Sequence, residues 1–346
     1  MKKVIWALLI LLCLAPQASA AEITAPQIPQ AAAERMPEHT DSFGEGLWEL
    51  VHSTLFQLRP HLAEGCRSCL SVMAAVMLSS VLRTFPGCIQ SVTNLAGTVC
   101  IATTLLLNTN AMIRLGADTV RQLSDYGKLL YPVMTSAMAA QGGITTSAAL
   151  YTGTALFDAA LSSLISGLLI PMVYLFLALS TANSAIGEDL LKKMRDFLKN
   201  AISWSLKTIL TVFTTYMSIT GVVSGSTDAA ALKTTKVTIS SVIPVVGGIL
   251  SDASEAVLVS VGVLKSAAGI YGILALLTLF LEPFLRIGIQ YLLFKATAAI
   301  CSVFGGHSAA SLIEDFSTAM GLLLAMTGAV CLLLLISTVC FMKGVG

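Results

Sequence analysis

Four pairs of residues in this chain have types and spacing that chemistry can use. Cys66-Arg67-Ser68-Cys69 has the spacing of a redox pair or half a metal site. No second Cys or His pair lies near enough to complete a zinc site, and a thioredoxin-like role needs a βαβ context that this chain lacks. Gly305-Gly306-His307-Ser308 sets a serine beside a histidine. Adjacent residues on a turn rarely reach each other, and no orienting acid is identifiable, so this reads as a Gly-rich turn between helices. The histidines His39, His52 and His61 sit in a polar N-terminal stretch. Neither a zinc-protease HExxH nor a phosphate-binding GxxxxGK[ST] is present. The residues therefore lead us to expect no catalysis, no metal and no cofactor. The other two pairs, Asp252 with Glu255 and Glu282 with Arg286, are charges set among apolar runs. Charges are expensive in lipid, so these are the functional candidates.

The elements that must position them belong to a membrane protein. The chain has 346 residues, 55% hydrophobic and 11% charged, where soluble domains carry about 25% charged residues. Mean hydropathy is +0.84. A net charge of +1 gives no concentrated basic face for a nucleic-acid backbone. Residues 1–21 read as a cleavable signal peptide: Lys2 and Lys3, an apolar centre from Val4 to Leu14, Pro16, then Ala18-Ser19-Ala20. Residues 22–65 read as an acidic extracytoplasmic tail. Within it, Phe43, Leu47, Leu50, Val51, Leu55 and Leu58 recur at helical spacing, which predicts an amphipathic helix packed on the membrane domain, on the membrane or on a partner. Cys13 falls in the leader, and most of the remaining cysteines fall in apolar runs, where they act as small hydrophobes.

From residue 66 to 346 the reading is an all-α polytopic bundle of about seven spans, with a re-entrant hairpin and interfacial helices. The apolar runs are Leu70–Leu82, Ile89–Leu107, Leu129–Leu150, Ala155–Ala182, Trp204–Val223, Ala267–Leu281, Phe284–Phe304 and Met320–Phe341. None alternates like a barrel strand. Residues 188–204 form an amphipathic helix with Lys192, Lys193, Arg195 and Lys199 opposite an apolar face of Leu190, Leu191, Met194, Phe197, Leu198, Ala201 and Ile202. It is expected on the cytoplasmic leaflet, as an interfacial helix or a docking site for a cytoplasmic partner such as an ATPase. With an external N-terminus, an odd number of spans must precede it. Leu70–Leu82, the shortest run, is the one expected not to cross. That choice also places Arg114, Arg121 and Lys128 inside, in keeping with the positive-inside rule.

Residues 239–264 are the candidate re-entrant segment. Pro244 and Gly247-Gly248 interrupt the first apolar arm, and Asp252 and Glu255 separate it from the second. Irregular backbone at membrane depth survives only against protein or a wet cavity. The alternative is one kinked span. Glu282-Pro283 with Arg286 reads either as a short cytoplasmic turn or as a broken helix with a polar pair near a pathway. Gly221-Val222-Val223-Ser224-Gly225 and the small residues Gly262, Ser266 and Gly269 predict close helix approach.

"TTKVTISSVIPVVGGILSDASEAVLVSVGVLKSAAGIYGILAL", residues 234–276, resembles the stage III sporulation protein AE family of endospore-forming bacteria. The leader, acidic tail and string of apolar runs resemble that family along the chain. The resemblance implies a non-enzymatic, multi-pass subunit of the channel complex joining mother cell and forespore. It implies a location in the mother-cell membrane around the forespore. The implied partners are ring-forming, ATPase and other membrane subunits, and the implied role is support of late forespore gene expression. Pro244, Gly247, Gly248, Asp252, Glu255, Glu282 and Arg286 are then candidate conduit or interface residues. Lys192, Lys193, Arg195 and Lys199 are the candidate cytoplasmic surface. The alternative is a stand-alone secondary transporter, since broken helices with acidic residues are transporter features.

Overall fold

A chain this apolar satisfies its backbone within helices, and every regular element among the described residues is helical. The computed structural model describes residues 43–82, 90–187, 189–242, 247–303 and 307–343. The expected leader and most of the acidic tail lie outside them. The elements are α1 (Phe43–Gln57), α2 (Arg59–Leu82), α3 (Gln90–Ala140), α4 (Ile144–Leu164), α5 (Ile170–Ile186), α6 (Asp189–Val242), α7 (Gly247–Val303) and α8 (His307–Lys343). A single π turn, Ile165–Leu169, joins α4 to α5. Pro171, with no N–H to offer the preceding turn, follows it directly.

Five helical stretches among the described residues are long and apolar enough to cross a membrane: Arg59–Val81, Leu95–Ala140, Ile144–Ile186, Gly269–Val303 and His307–Met342. This departs from the expected arrangement at three places. Leu70–Leu82, set aside as non-crossing, belongs to the first of them, because α2 begins eleven residues before Leu70, at Arg59. Residues 59–65, read as tail, are its first turns. Ile89–Leu107 and Leu129–Leu150 were expected as two spans joined by a charged loop. Instead α3 runs unbroken through 51 residues, about 75 Å. Between Leu107 and Leu129 the chain keeps helical periodicity, with Met112, Ile113, Val120, Leu123, Tyr126 and Leu130 all buried on one side. The break comes later, where Gly142 takes φ 94° and its N–H bonds Ala139 O at 2.9 Å. Thirdly, α7 continues straight through Pro283. Ala267–Leu281 and Phe284–Val303 thus lie on one helix, and Glu282-Pro283 is not a turn. Membrane helices tolerate proline where neighbours satisfy the freed carbonyl.

The last helix is the centre of the bundle. In α8, 61% of the most apolar window is buried, against 28–44% in the other four candidate spans. It packs on α7, α3, α6, α5 and α4. Phe316, Met320, Leu323, Met326, Val330, Leu333 and Leu334 form one core with Leu123 and Tyr126 of α3 and Ile287 of α7. Gly269, expected at a close helix approach, lies against Met342, whose Cγ stands 2.5 Å from where a Cβ would be. The amphipathic α1 packs on α7 and α2. Leu50 and Leu58 are buried there, whereas Leu55, counted on the same face, is 53% exposed.

Candidate conduit and ligand surfaces

Three groupings of polar residues stand out among the described residues of the membrane domain. The first is a cavity of about 50 Å³ between α2, α3 and α7, whose polar lining is His61, Glu64, Asn108, Arg286 and Gln290. Arg286 sits at the middle of the candidate span Gly269–Val303. Glu282, at i,i+4 spacing before it, has interactions of its own, and the ion pairs seen among the described residues do not include Arg286. Gln290, one turn on and 6% exposed, has no hydrogen-bond partner for its Nε2. Asn108 donates its amide to Ser68 Oγ. Gly65 admits α7 closely: a Cβ there would meet Leu293 Cδ1 at 2.6 Å and Gln290 Oε1 at 3.3 Å.

The second is a charged stripe on α3. Arg114, Asp118, Arg121, Asp125 and Lys128 recur at intervals of four and three residues, and all are exposed. They run for about 21 Å along one face. Within the stripe Arg121 pairs with Asp118 at 3.8 Å and Lys128 with Asp125 at 2.7 Å. At the same level the surrounding surface is apolar. A Cβ on Gly116 of α3 would touch Ile287 of α7 and Leu323 of α8, while Tyr271, Leu156 and Leu168 of the neighbouring helices are exposed. Behind the stripe, Ser124 donates to Asp158 Oδ2 of α4 at 2.8 Å. Asp158 is 2% exposed, and its Oδ1 has no partner.

The third is the start of α6, and its helical face divides in three. Leu198 and Ile202 are buried, Lys192, Lys193 and Lys199 are exposed, and Leu190, Met194, Phe197 and Trp204 form an exposed apolar edge. The start of α6 thus has a side packed on protein, a basic side and an exposed apolar side. Arg195 departs from the expected outer face. It turns inward, and its Nη1 donates to Asp315 Oδ2 of α8 at 2.7 Å. Burial works against its charge, but Asp315 and Asp196 hold the guanidinium above its ordinary pKa. Two neighbouring ties close the same end of the bundle. Ser184 and Ser308 exchange hydroxyl-to-carbonyl bonds at 3.1 and 3.0 Å, and Lys295 pairs with Glu314 at 2.7 Å. Ser308, singled out beside His307, is thus engaged in a helix tie. Cys66 and Cys69 are both free, the first exposed and the second buried on α2.

Of the sequence-derived candidates, the structure brings Arg286 into a cavity and leaves Glu282 half-buried a turn before it. Pro244 lies outside the described residues; Gly247, Gly248, Asp252 and Glu255 lie on the helical backbone of α7, and the side chains of Asp252 and Glu255 are outside what is described. The stripe as one surface, Asp158, Asp315 and Gln290 were missed. The stripe had a readable signal in its four-three spacing, and Asp158 in being a lone acid in an apolar run.

Residues 45–344 match the model of the family described as Stage III sporulation protein AE. A curated relative, Stage III sporulation protein AE of Bacillus subtilis (strain 168), is 25% identical over 235 residues, or 67% of this chain. The chain spans 59% of the length of that relative. No solved structure matches. The family match covers most of the chain and agrees with its apolar, all-helical architecture: this protein belongs to the stage III sporulation protein AE family.

Proposed function

We propose that this chain is a non-enzymatic membrane subunit of a sporulation-specific, secretion-like channel complex linking mother cell and forespore, and that the α3 stripe faces its aqueous passage. Family membership supports the sporulation role. The observation that carries the conduit reading is the row Arg114, Asp118, Arg121, Asp125 and Lys128, exposed on a helix long and apolar enough to span a membrane. Exposed charge at that level needs water or a polar partner. When identical copies stand parallel in a ring, each of these positions makes a ring of one sign. Successive rings then alternate along the passage about 4.5–6 Å apart. Such a lining is wet, alternates in sign and carries a net +1 per copy, which suits passage of polar solutes rather than selection of one cation. The re-entrant segment 239–264 adds a second polar wall in this reading. Lys192, Lys193 and Lys199 offer a basic surface to the cytoplasmic side, where an ATPase subunit docks.

Affinity isolation of the tagged protein from sporulating cells tests the assembly. Co-purification of ring-forming and ATPase subunits is the expected result. Recovery of the protein alone, together with solute transport by the pure protein in liposomes, would establish the stand-alone transporter instead.

A further inference from the structure

We propose that Arg286 and Gln290 form the floor of a binding site for a phosphate group, either inorganic phosphate or the phosphate of an anionic lipid headgroup. This inference does not depend on the conduit reading. Arg286 stands at the middle of a candidate span with no ion-pair partner among the described residues. Glu282, one turn before it, is half-buried and has interactions of its own. A guanidinium in so apolar a domain calls for a counter-charge or water. It lines a cavity of about 50 Å³, room for roughly four waters or one small oxyanion at about 10–15 Å³ per water. Gln290 lines the same cavity, is 6% exposed, and has an unpartnered Nε2.

The chemistry of these uncommitted groups selects the ligand. The guanidinium and the Gln290 amide nitrogen are donors, and a guanidinium fork matches two oxygens of a phosphate. Asn108 is held by Ser68. Of the other lining residues, Ala111 is exposed, and His61 lies 3.9 Å from Glu64. Glu64 is the acid in the lining, and its side chain is 74% exposed to solvent. The lining therefore joins buried donor groups to residues that reach solvent.

The test uses the full chain purified in a neutral detergent. Thermal unfolding is followed with sodium phosphate against sodium chloride at equal ionic strength. Native mass spectrometry follows retention of phosphatidylglycerol against phosphatidylcholine. We expect a saturable stabilisation by phosphate, or selective retention of phosphatidylglycerol; whichever is seen identifies the source of the phosphate. Arg286→Gln should weaken it by about tenfold or more. Gln290→Leu should weaken it severalfold, and Ala111→Phe should block the cavity from its exposed rim without changing charge. Lys207→Gln, an exposed change of the same charge on α6, should leave binding as in the parent. The proposal is overturned if the parent protein binds neither ligand, or if Arg286→Gln and Ala111→Phe bind as the parent does. Should Arg286→Gln fail to fold, Gln290→Leu and Ala111→Phe decide the matter.

Discussion

Arg195 and Asp315 meet across 120 residues of chain, with Nη1 2.7 Å from Oδ2, and their side chains are only 11% and 13% exposed. The pair ties the amphipathic start of α6 to the central helix α8. It therefore fixes which way the basic face of α6 points. Turning Arg195 inward removes one charge from the surface and leaves Lys192, Lys193 and Lys199 to form it.

Breaking this pair on one side should destabilise more than removing it. Asp315→Asn leaves a buried guanidinium poorly compensated, for which a loss of about 3 kcal/mol is expected. The double change Arg195→Met with Asp315→Leu should recover most of that. Thermal unfolding in detergent reads the difference. Equal losses in the single and double variants would mean that the ion pair is not what holds α6.

Gly153 of α4 packs against the ring of Tyr216 of α6, leaving no room for a Cβ, and Tyr216 donates its hydroxyl to Ala149 O at 2.9 Å. Gly153→Val should displace that ring and cost about 1–3 kcal/mol. Adding Tyr216→Ala should restore much of the packing. Accumulation in membranes and melting temperature measure both steps, and an additive double variant would contradict the contact.

The charged stripe predicts a pattern of water access. In a background without native cysteines, cysteine at Asp118 or Asp125 should react with a soluble thiol reagent in membranes. Cysteine at Leu156 or Leu168, exposed on the apolar surface, should not. Equal reactivity at all four positions would remove the distinction between a wet face and a lipid face.

Segment 239–264 remains a proposal resting on Pro244, Gly247-Gly248, Asp252 and Glu255. Replacing Gly247 and Gly248, the first residues of α7, by leucine should stiffen the start of that helix and disturb a turn leading into it. Changing Asp252 to asparagine and Glu255 to glutamine should keep the protein level while disturbing passage or partner binding. Spore yield alongside an immunoblot separates loss of function from loss of protein. Normal spores from both double variants at normal levels would reduce the segment to an ordinary kinked span.

The sequence alone determined the class of the molecule. An apolar chain with few charges can satisfy its backbone in lipid only by helices or a closed barrel, and no run alternated as barrel strands do. It also placed the amphipathic start of α6, because Lys192, Lys193 and Lys199 recur at helical spacing opposite Leu198 and Ile202. Where helices end was less legible. Glu282-Pro283 and the charged residues 114–128 looked like loops, since polar residues between apolar runs mark turns in most membrane chains. Only the tertiary structure decided otherwise. Periodic apolar residues on the inner face of α3 bury against α8 whatever their outward neighbours carry, and α7 stays helical through Pro283, which is buried. Pairing lay beyond the sequence for the same reason. Arg195 takes an acid 120 residues away as well as its own neighbour Asp196. Spacing along one helix says which charges can meet, but only the packing of different helices says which do.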